Sequence, residues 1–448
     1  MTYKEARVYL DEVSKYGSVL GLDTIRGLLG ELGDPQDSLK FIHIAGTNGK
    51  GSVLAFTSTI LSEAGFRTGR YVSPTVLSYL EKIQIDGEWI SEGEFTGYVE
   101  EVQRAVARME AKGMASPTVF EMETAIAFLH FRQKQCDYVV LETGLGGKLD
   151  ATNIVKNTAA AVFTSISRDH TEFLGDTLGE IAENKAGIIK PGCVVVSAAQ
   201  EEPVVRILRR RAKELGCKTV FADGNRVSAV SGDYNGTVFT YLPWGGMPIH
   251  IQLAGRYQLI NAAVVCELMK ILKIPEDAVR KGFANTRWAG RFTCVSKSPL
   301  FIVDGAHNED AARRLKESVE LYFHGKHMIF IMGVFRDKEY KKIAELMAPL
   351  AESIYTVELP NGSRTLPAKE LKQAAEPYCN GKVRAIGDVG TAVRLAWEEA
   401  CDKDGVVLAF GSLSYLGEVM HRAQELEKSP DVRRKGPSAR RKKKAPEG

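Results

Sequence analysis

A glycine-rich turn, Gly46 to Ser52, carries the clearest chemical signal in this chain. The apolar run 41–45 before it predicts a buried strand, and the apolar run 53–61 after it predicts a helix. Between a strand and a helix, glycines let backbone N–H groups approach an anion, and the helix start adds partial positive charge. The stretch therefore predicts a phosphate-binding loop. The alternative is a plain glycine turn that joins the two elements.

The side chains of this loop fit the same chemistry. Lys50 is expected to reach the β- and γ-phosphates of a nucleotide, and Ser52 is placed to touch a magnesium ion. The strict P-loop pattern GxxxxGK[ST] is not met, because Gly51 separates Lys50 from Ser52 and Ile44 stands where the first glycine should be. The loop is therefore predicted to be a variant of the P-loop.

Polar residues also follow two further predicted strands. Glu142 closes the strand 138–142, and Asp169 and His170 come shortly after the strand 159–165. Ligands of open α/β sheets bind at the carboxyl ends of strands. A hard oxygen ligand next to a histidine, opposite a phosphate loop, fits a magnesium site. Glu142 could equally be a strand-end carboxylate that points into water.

A second polar loop, Asp304 to Asn308, follows the predicted strand 300–303. It lies far along the chain from the phosphate loop, in a second block of strands and helices. We expect this loop to close over a nucleotide that the first block holds. The alternative is an Asx-type turn with no ligand.

The composition is that of an ordinary globular protein, with 448 residues of which 44% are hydrophobic and 26% charged. No apolar run approaches the roughly 18 residues that a membrane span needs, and the first residues lack the layout of a signal peptide. The seven cysteines form no CxxC pair, which favours reduced thiols in a cytoplasmic protein over a zinc site or a disulfide framework. No membrane partner is expected.

Positive charge is concentrated at the end of the chain. Residues 428–448 hold nine Lys/Arg and two Asp/Glu, a net +7, which leaves −4 for the rest of a chain whose total is +3. This basic tail is nearly free of apolar residues and is expected to be disordered. Such a tail can touch nucleic acid or a membrane surface, but a solvated tail is the simpler interpretation, and no nucleic-acid partner is predicted.

Apolar strands alternate with helical segments in two blocks, separated by a region at 225–255 that predicts antiparallel hairpins. The expected fold class is α/β: a P-loop-type, mostly parallel sheet with helices on both faces and a small antiparallel sheet, plus a smaller Rossmann-like α/β domain at the C-terminus. The expected domains are an N-terminal domain with the phosphate loop at 1–296, a C-terminal domain with the second polar loop at 297–426 and the tail at 427–448.

Taken in order, these motifs resemble those of the Mur ligase superfamily and, within it, of the folylpolyglutamate synthase family. The stretches 44–52 and 141–153 are similar to the family's phosphate loop and to its magnesium-binding glutamate motif. The resemblance covers approximately residues 2–420. Further matching blocks are Asp169-His170, Lys185 to Ile188, Gln258 with Asn261-Ala262, Gly290-Arg291, Asp304 to Asn308 and Gly411 to Leu413.

The resemblance implies roles for individual residues. Ser73 and Glu142 would hold one magnesium ion, and His170 would help to hold a second. Lys185 would be carbamylated by carbon dioxide, which turns a cation into a carboxylate-like ligand for the second ion. Lys50, His170 and Lys185 would form the catalytic group. The nucleotide would be contacted by Asn48, Gly49, Lys50, Gly51, Ser52, Asn261, Arg291, Asp304 and His307, the last three after domain closure.

The implied activity is an ATP-dependent amide ligase that adds L-glutamate to the γ-carboxylate of a folate through an acyl phosphate. The conversion of dihydropteroate to dihydrofolate stays open as a second activity. The implied cofactors are ATP and two Mg²⁺ ions, and the expected state is a cytoplasmic monomer. The chain departs from the family pattern at Thr75-Val76, at Leu80 to Ile83, at Tyr257, where the family commonly has His, and at Glu309, where it commonly has Pro. The first two departures lie near the expected pterin region and leave the preferred folate substrate open.

Two alternatives remain. Another Mur-type ligase, such as a muramyl-peptide ligase, is disfavoured because the chain before Gly46 is too short for the UDP-sugar domain of those enzymes. A nucleotide-binding module without catalysis is disfavoured because the chain keeps Lys50, Glu142, His170 and Lys185 together.

Overall fold

The computed structural model describes residues 1–13, 21–169, 171–359 and 361–428. Its chain divides into two compact units. The predicted domain boundary at 296/297 stays a prediction, and nearly all of the predicted basic tail lies outside the described residues. The first unit comprises Met1–Val230, Val238–Gln252 and Gln258–Arg287, and the second comprises Ser231–Thr237, Leu253–Tyr257 and the chain from Trp288 onward.

The helices alternate with strands along most of the chain, as the sequence predicts. The helices of the described residues are α1 (Tyr3–Val13), α2 (Asp23–Glu31), α3 (Lys50–Glu63), α4 (Glu92–Ala111), α5 (Val119–Gln133), α6 (Thr171–Leu174), α7 (Leu178–Ala186), α8 (Glu202–Glu214), α9 (Tyr257–Ile271), α10 (Glu276–Asn285), α11 (Glu309–Tyr322), α12 (Tyr340–Met347), α13 (Ala368–Ala375), α14 (Val389–Lys403) and α15 (Leu416–Lys428).

The strands are short, as is usual for α/β proteins. Those of the described residues are β1 (Phe41–Ala45), β2 (Thr68–Tyr71), β3 (Ile83–Ile85), β4 (Glu88–Trp89), β5 (Tyr138–Glu142), β6 (Thr158–Phe163), β7 (Val194–Ser197), β8 (Lys218–Phe221), β9 (Val227–Asp233), β10 (Gly236–Tyr241), β11 (Ile249–Ile251), β12 (Thr293–Lys297), β13 (Leu300–Asp304), β14 (Met328–Met332), β15 (Ser353–Thr356), β16 (Lys382–Ala385) and β17 (Val406–Phe410).

The first unit is built on an eight-stranded sheet with the order β4-β3-β2-β5-β1-β6-β7-β8. All neighbours from β2 to β8 pair in parallel, whereas β3 and β4 extend the sheet in antiparallel fashion. Every residue of β1 is buried, as expected for an apolar strand inside a parallel sheet. The parallel arrangement brings the carboxyl ends of β2, β5, β1 and β6 to one edge, side by side.

Helix α3, which follows the glycine-rich turn, is apolar around most of its circumference. A helix of this kind is buried on nearly all sides, and ten of the fourteen residues of α3 are buried. Helix α10 packs closely on it, because a Cβ added at Gly282 would lie 2.5 Å from the Cα of Ile60. The helix that begins directly after the turn is therefore held firmly by its surroundings.

The second unit is built on a six-stranded sheet with the order β12-β13-β17-β14-β15-β16. Only β12, at one edge, is antiparallel to its neighbour. Buried apolar residues of β13, β14 and β17 pack with helices α11 and α12 into one core. Asp304 ends β13, so the predicted second polar loop lies at the carboxyl edge of this sheet.

The predicted α/β fold class is confirmed, including the small three-stranded sheet β11-β10-β9 that the region 225–255 predicts. The sequence pattern missed six strands of the described residues: β2, β3, β4, β8, β12 and β16. Strand β2 contains a glycine and Arg70, which is only 8% exposed although arginine usually marks a surface. In the described part of the chain, no helix combines the length and the apolar character that crossing a membrane requires.

Candidate active site

The predicted site residues of the first unit lie at one edge of its sheet. Glu142 ends β5, the glycine-rich turn follows β1, and Ser73 comes two residues after the end of β2. Strands β2, β5 and β1 are consecutive in the sheet and parallel. The fold therefore gathers groups that are up to 96 positions apart in the sequence, from Gly46 to Glu142.

Two glycines of the turn are required by close approaches. Gly49, the residue before α3, has a φ of 95°, and a Cβ there would lie 2.5 Å from the side-chain oxygen of Asn261. A Cβ at Gly46 would lie only 1.9 Å from the hydroxyl of Thr164. Contacts this short cannot exist, so side chains at both positions are excluded. The two glycines therefore let the backbone of the turn pack directly against Thr164 and Asn261.

The turn is fixed to the loop after β6. The amide of Thr47 donates to the carbonyl of Ser165 (2.7 Å), and its hydroxyl donates to the carbonyl of Ser167 (2.9 Å). The amide of Ser167 in turn donates to the Thr47 hydroxyl (3.0 Å), and Asn48 forms a β-bridge with Ser165. The phosphate loop is thus held in place before any ligand binds.

Lys50, the first residue of α3, folds back over the turn. Its ammonium group donates to the carbonyl oxygens of Gly46 and Thr47, both at 3.3 Å, and lies 4.0 Å from the carboxylate of Glu142. Glu142 is 6% exposed, which answers the question that the sequence left open, since this carboxylate does not point into open water.

Lys185, near the end of α7, places a second ammonium group on the same carbonyl oxygen. Its Nζ donates to Gly46 at 2.8 Å, and the residue is only 4% exposed. Burial and, to a smaller extent, the charge of Lys50 lower the pKa of Lys185 to about 7, against the opposing effect of Asp169 and Asp150. A large fraction of this lysine is therefore a neutral amine, and so a nucleophile, at neutral pH.

Ser52 lies inward rather than toward the edge of the sheet. Its hydroxyl is buried and accepts a hydrogen bond from the side-chain amide of Gln258 (3.1 Å), whose oxygen accepts one from Asn261 (3.0 Å). Asn261 lies against Gly49, as the close approach to that glycine shows. Gln258 and Asn261, one turn apart on α9, therefore brace the start of α3 and the loop.

Three further residues of the first unit are predicted to belong to the site: Ser73, Gly51 and His170. Ser73 is partly buried at the end of β2. Gly51 is buried in the first turn of α3. His170, predicted as a metal ligand and a catalytic residue, lies outside the described residues. Asp169, which immediately precedes it, is close enough to Lys185 to affect the pKa of that amine.

Arg291, Asp304 and His307 come together in the second unit. The carboxylate of Asp304 accepts hydrogen bonds from the backbone amides of Phe292 (2.8 Å) and Ala306 (2.9 Å). The His307 ring contacts the carbonyl of Gly305 through Nδ1 (2.8 Å). A Cβ at Gly305 would lie 2.4 Å from the guanidinium group of Arg291, so the two loops touch.

Comparison with known proteins identifies the family. Two family models match: the Mur ligase middle domain over residues 44–269 and the Mur ligase glutamate ligase domain over residues 290–413. A dihydrofolate synthase/folylpolyglutamate synthase of Bacillus subtilis is 30% identical over 94% of this chain and 99% of its own length. The chain belongs to the Mur ligase superfamily. Its place within that superfamily is among the folylpolyglutamate and dihydrofolate synthases.

Solved structures of this family agree with the assignment. The folylpolyglutamate synthase of Mycobacterium tuberculosis, solved in complex with ADP and AMPPCP, superimposes with a TM-score of 0.84 at 29% identity, covering 94% of this chain and 98% of that one. FolC of Escherichia coli, solved with DHPP and ADP, gives a TM-score of 0.80 at 28% identity, covering 96% and 98%. The predicted family resemblance is thereby confirmed.

The structure of this Mur ligase adds a buried network that the sequence analysis missed. Asp150 is 3% exposed, and its carboxylate accepts from the amide of Leu145 (2.7 Å) and from the amide and hydroxyl of Thr152. The Thr152 hydroxyl is also 2.9 Å from Nε2 of His43, inside β1. This network fixes the loop that follows Glu142. Its only signal in the sequence is the spacing of Asp150 and Thr152, which is that of an Asx-type cap.

The same loop is tied to the end of α7. The amide of Lys148 donates to the carbonyl of Asn184 (2.8 Å), and the side chain of Asn153 donates to the carbonyls of Lys148 and Gly187, both at 3.1 Å. Lys185 is thus joined through the backbone to the segment that begins at Glu142. The two proposed metal-binding positions are parts of one hydrogen-bonded structure.

The donor set fits magnesium at Glu142. Glu142 is a nearly buried carboxylate, a hard oxygen ligand of the kind that Mg²⁺ prefers, and Ser73 follows the neighbouring parallel strand β2. Among the described residues there is no cluster of three or more His, Cys, Asp and Glu side chains that could hold a metal.

Proposed function

We propose that this chain is an ATP-dependent ligase that joins L-glutamate to the γ-carboxylate of a folate. The observation that carries the proposal is the pair of lysines, Lys50 and Lys185, that converge on the carbonyl of Gly46 beside the carboxylate of Glu142. The positive charge of Lys50 at a phosphate loop is suited to neutralise transferring phosphates, and Lys185 is the residue that would be carbamylated. The folylpolyglutamate synthase names of the relatives and the nucleotide complexes of the solved structures support the same substrates.

The reaction needs two displacements and no covalent bond to the protein. An oxygen of the folate carboxylate attacks the γ-phosphorus of ATP, the bond to ADP breaks, and an acyl phosphate forms. The amine of L-glutamate then attacks the acyl carbon, loses a proton and expels inorganic phosphate. The protein has to align the reactants and neutralise charge. Lys50 neutralises charge on the phosphates, and the loop from Gly46 to Gly49 orients them.

We propose that two magnesium ions bind at this edge of the sheet. Ser73 and Glu142 would hold one ion, and a carbamylated Lys185 together with His170 would hold the second. Bound magnesium supplies charge stabilisation to the phosphates. A partly neutral Lys185 at neutral pH is the chemical requirement for carbamylation, because only the neutral amine attacks carbon dioxide.

We also propose which residues contact the nucleotide. Asn48 to Ser52 and Asn261 would bind ATP from the first unit, and Arg291, Asp304 and His307 from the second. The buried hydroxyl of Ser52 would support the loop through Gln258. We further propose that the protein works in the cytoplasm, since all seven cysteines are free thiols, and that it acts as a monomer.

A substrate panel tests the proposal. Phosphate release is measured with ATP, Mg²⁺ and L-glutamate in the presence of tetrahydrofolate, dihydropteroate or a UDP-muramoyl substrate, with omission of glutamate as the control. We expect glutamate-dependent turnover with tetrahydrofolate. Turnover with dihydropteroate would add the second activity. Turnover only with the UDP-muramoyl substrate, or none with any acceptor, would contradict the proposal.

A further inference from the structure

The carboxylate of Asp304 organises both loops at the carboxyl edge of the second unit's sheet. Its Oδ2 accepts from the amide of Phe292, next to Arg291, and its Oδ1 accepts from the amide of Ala306. The amide of Gly305 donates to the carbonyl of Gly290 (2.8 Å). One side chain therefore holds the segment with Arg291 and the segment that leads to His307 in a fixed relation.

Tyr257 supplies a third donor to this carboxylate, from a distant part of the sequence. Its hydroxyl donates to Oδ2 of Asp304 at 3.1 Å, across 47 positions of chain. Burial and the charge of Asp304 raise the pKa of Tyr257 well above its ordinary value, so the phenol stays a neutral donor at every working pH. The ring is set in place by Gly255, where a Cβ would lie 2.6 Å from Cε1 of Tyr257.

The number of hydrogen-bond donors around the Asp304 carboxylate matters, because this residue is only 5% exposed and its negative charge is costly to bury. Burial raises the pKa of Asp304, and Arg291 and the hydrogen bonds oppose that effect. An ionised carboxylate offers about four acceptor positions. Phe292, Ala306 and Tyr257 fill three of them, which leaves about one for a donor of a ligand.

We propose that Tyr257 is a positioning residue for nucleotide binding: its hydroxyl holds the Asp304 carboxylate, and with it Arg291, in the geometry that receives the nucleotide. The inference rests on the proposed function, because the nucleotide role of Asp304 does. Tyr257 itself touches no substrate in this proposal. It sets the orientation of a carboxylate that would otherwise rotate within a partly satisfied hydrogen-bond network.

Tyr257→Phe in the full chain tests the proposal, because it removes one oxygen and keeps the ring. The matched control is Tyr322→Phe. The Tyr322 hydroxyl lies in the same region and accepts from the amide of Gly255 (3.2 Å), but has no hydrogen bond to Asp304. Each variant is measured for ADP binding by calorimetry, for KM of ATP and of L-glutamate, for kcat and for thermal stability.

We expect Tyr257→Phe to bind ADP about tenfold more weakly and to raise the KM of ATP by a similar factor, since a hydrogen bond to a charged group is lost. The KM of L-glutamate and kcat should change less than twofold. Tyr322→Phe should bind ADP like the parent protein even if it loses as much thermal stability. Equal ADP binding by Tyr257→Phe and the parent, or equal weakening in both variants, would overturn the inference.

The outcomes also separate this inference from the proposed function. If the parent protein binds ADP but shows no folate- and glutamate-dependent turnover, the proposed substrates are wrong, and the ADP affinities of the two variants still decide the role of Tyr257. If the parent protein binds no adenine nucleotide, the role of Tyr257 is wrong as well.

Discussion

The carboxyl edges of the two sheets handle charge in opposite ways. In the first unit, Lys50 and Lys185 both donate to the carbonyl of Gly46. The carboxylate of Glu142 lies 4.0 Å from the ammonium group of Lys50. In the second unit, the Asp304 carboxylate accepts three hydrogen bonds within the protein. Burial and the repulsion between two nearby cations lower the pKa of Lys185, whereas burial raises the pKa of Asp304 against the opposing effect of Arg291 and the hydrogen bonds.

This difference suggests that the two sheet edges have different roles. The first edge places the ammonium group of Lys50 where the negative charge of a polyphosphate would compensate it. The second edge holds the Asp304 carboxylate in three hydrogen bonds and leaves about one acceptor position for a ligand. We therefore expect changes at the first edge to affect catalysis most, and changes in the second unit to affect binding or stability.

The largest effect is expected for Lys185→Ala. Activity should fall by on the order of 10³-fold, because removal of one preorganised charged group from an active site costs this much. Added short carboxylates should restore part of the activity by replacing the carbamate. The matched control is Lys190→Ala, since Lys190 also donates to a backbone carbonyl, that of Asn153, at 2.9 Å. That variant should keep most of its activity and show no response to carboxylates. An unrescued Lys185→Ala with full activity would rule out the carbamate.

A somewhat smaller loss is expected for Lys50→Gln. The variant keeps a polar side chain, one bond shorter, but loses the charge at the phosphates, so kcat/KM for ATP should fall by about 10²-fold. Lys40→Gln is the control, because Lys40 lies at the opposite end of β1 and donates to the hydroxyl of Tyr138. Steady-state kinetics measure both. If Lys50→Gln and Lys40→Gln lose activity equally, the carboxyl edge of the first unit's sheet has no special role in catalysis.

A moderate effect is expected in the pH dependence of carbamylation. The pKa of Lys185 is about 7, so the neutral amine, and with it the carbamate, should increase as the pH rises from 6 to 8. Lys50→Gln removes a charge that lowers this pKa, and the rise should therefore shift to higher pH. The ¹³C NMR signal of the metal-free protein under ¹³CO₂ measures both curves. Coincident curves would show that the two lysines are not coupled.

The smallest effect on activity, and a clear one on stability, is expected for Glu399→Gln in the second unit. Burial alone would raise the pKa of Glu399, but donors from Lys403, Tyr355 and Ser353 outweigh it and lower the value to about 2. Glu399 ionises above its ordinary pKa of about 4.5 in the unfolded chain, so its stabilisation is present above that pH and is lost as the pH falls toward 2.

Glu399→Gln should therefore lower the free energy of unfolding by about 1–3 kcal/mol at pH 7. The difference from the parent protein should shrink below pH 4. Chemical denaturation at a series of pH values measures it, and ATP kinetics should be unchanged. A variant that loses activity while keeping its stability would contradict the contrast between the two units.

The parts of the site that are local in sequence could be predicted. The strand, the glycines from Gly46 to Gly51 and the helix after them form one continuous pattern, and the loop occurs where that pattern places it. Likewise Thr118 and Glu121 form the capping box at the start of α5 that their spacing predicts.

Contacts that join distant segments could not be predicted from residue types alone. Gln258 donates to Ser52 across 206 positions, and Lys185 donates to Gly46 across 139. Nothing in the helical pattern of α9 or α7 distinguishes these side chains from solvent-exposed ones. Only the order of the strands in the sheet brings them together, and that order does not follow from periodicity. The family resemblance indicated both residues, but not what they contact.

The buried His43 has a consequence for spectroscopy. Burial lowers the pKa of His43 to about 3, with a smaller contribution from Lys190. The Thr152 hydroxyl gives its proton to Asp150, so Nε2 of His43 carries the hydrogen that Thr152 accepts, and Nδ1 is bare, buried and without a hydrogen-bond partner. One tautomer should therefore persist across the whole working pH range. The ¹⁵N resonances of this imidazole would serve as a fixed internal marker directly beneath the phosphate loop, insensitive to bulk pH but responsive to any shift of β1 when nucleotide binds.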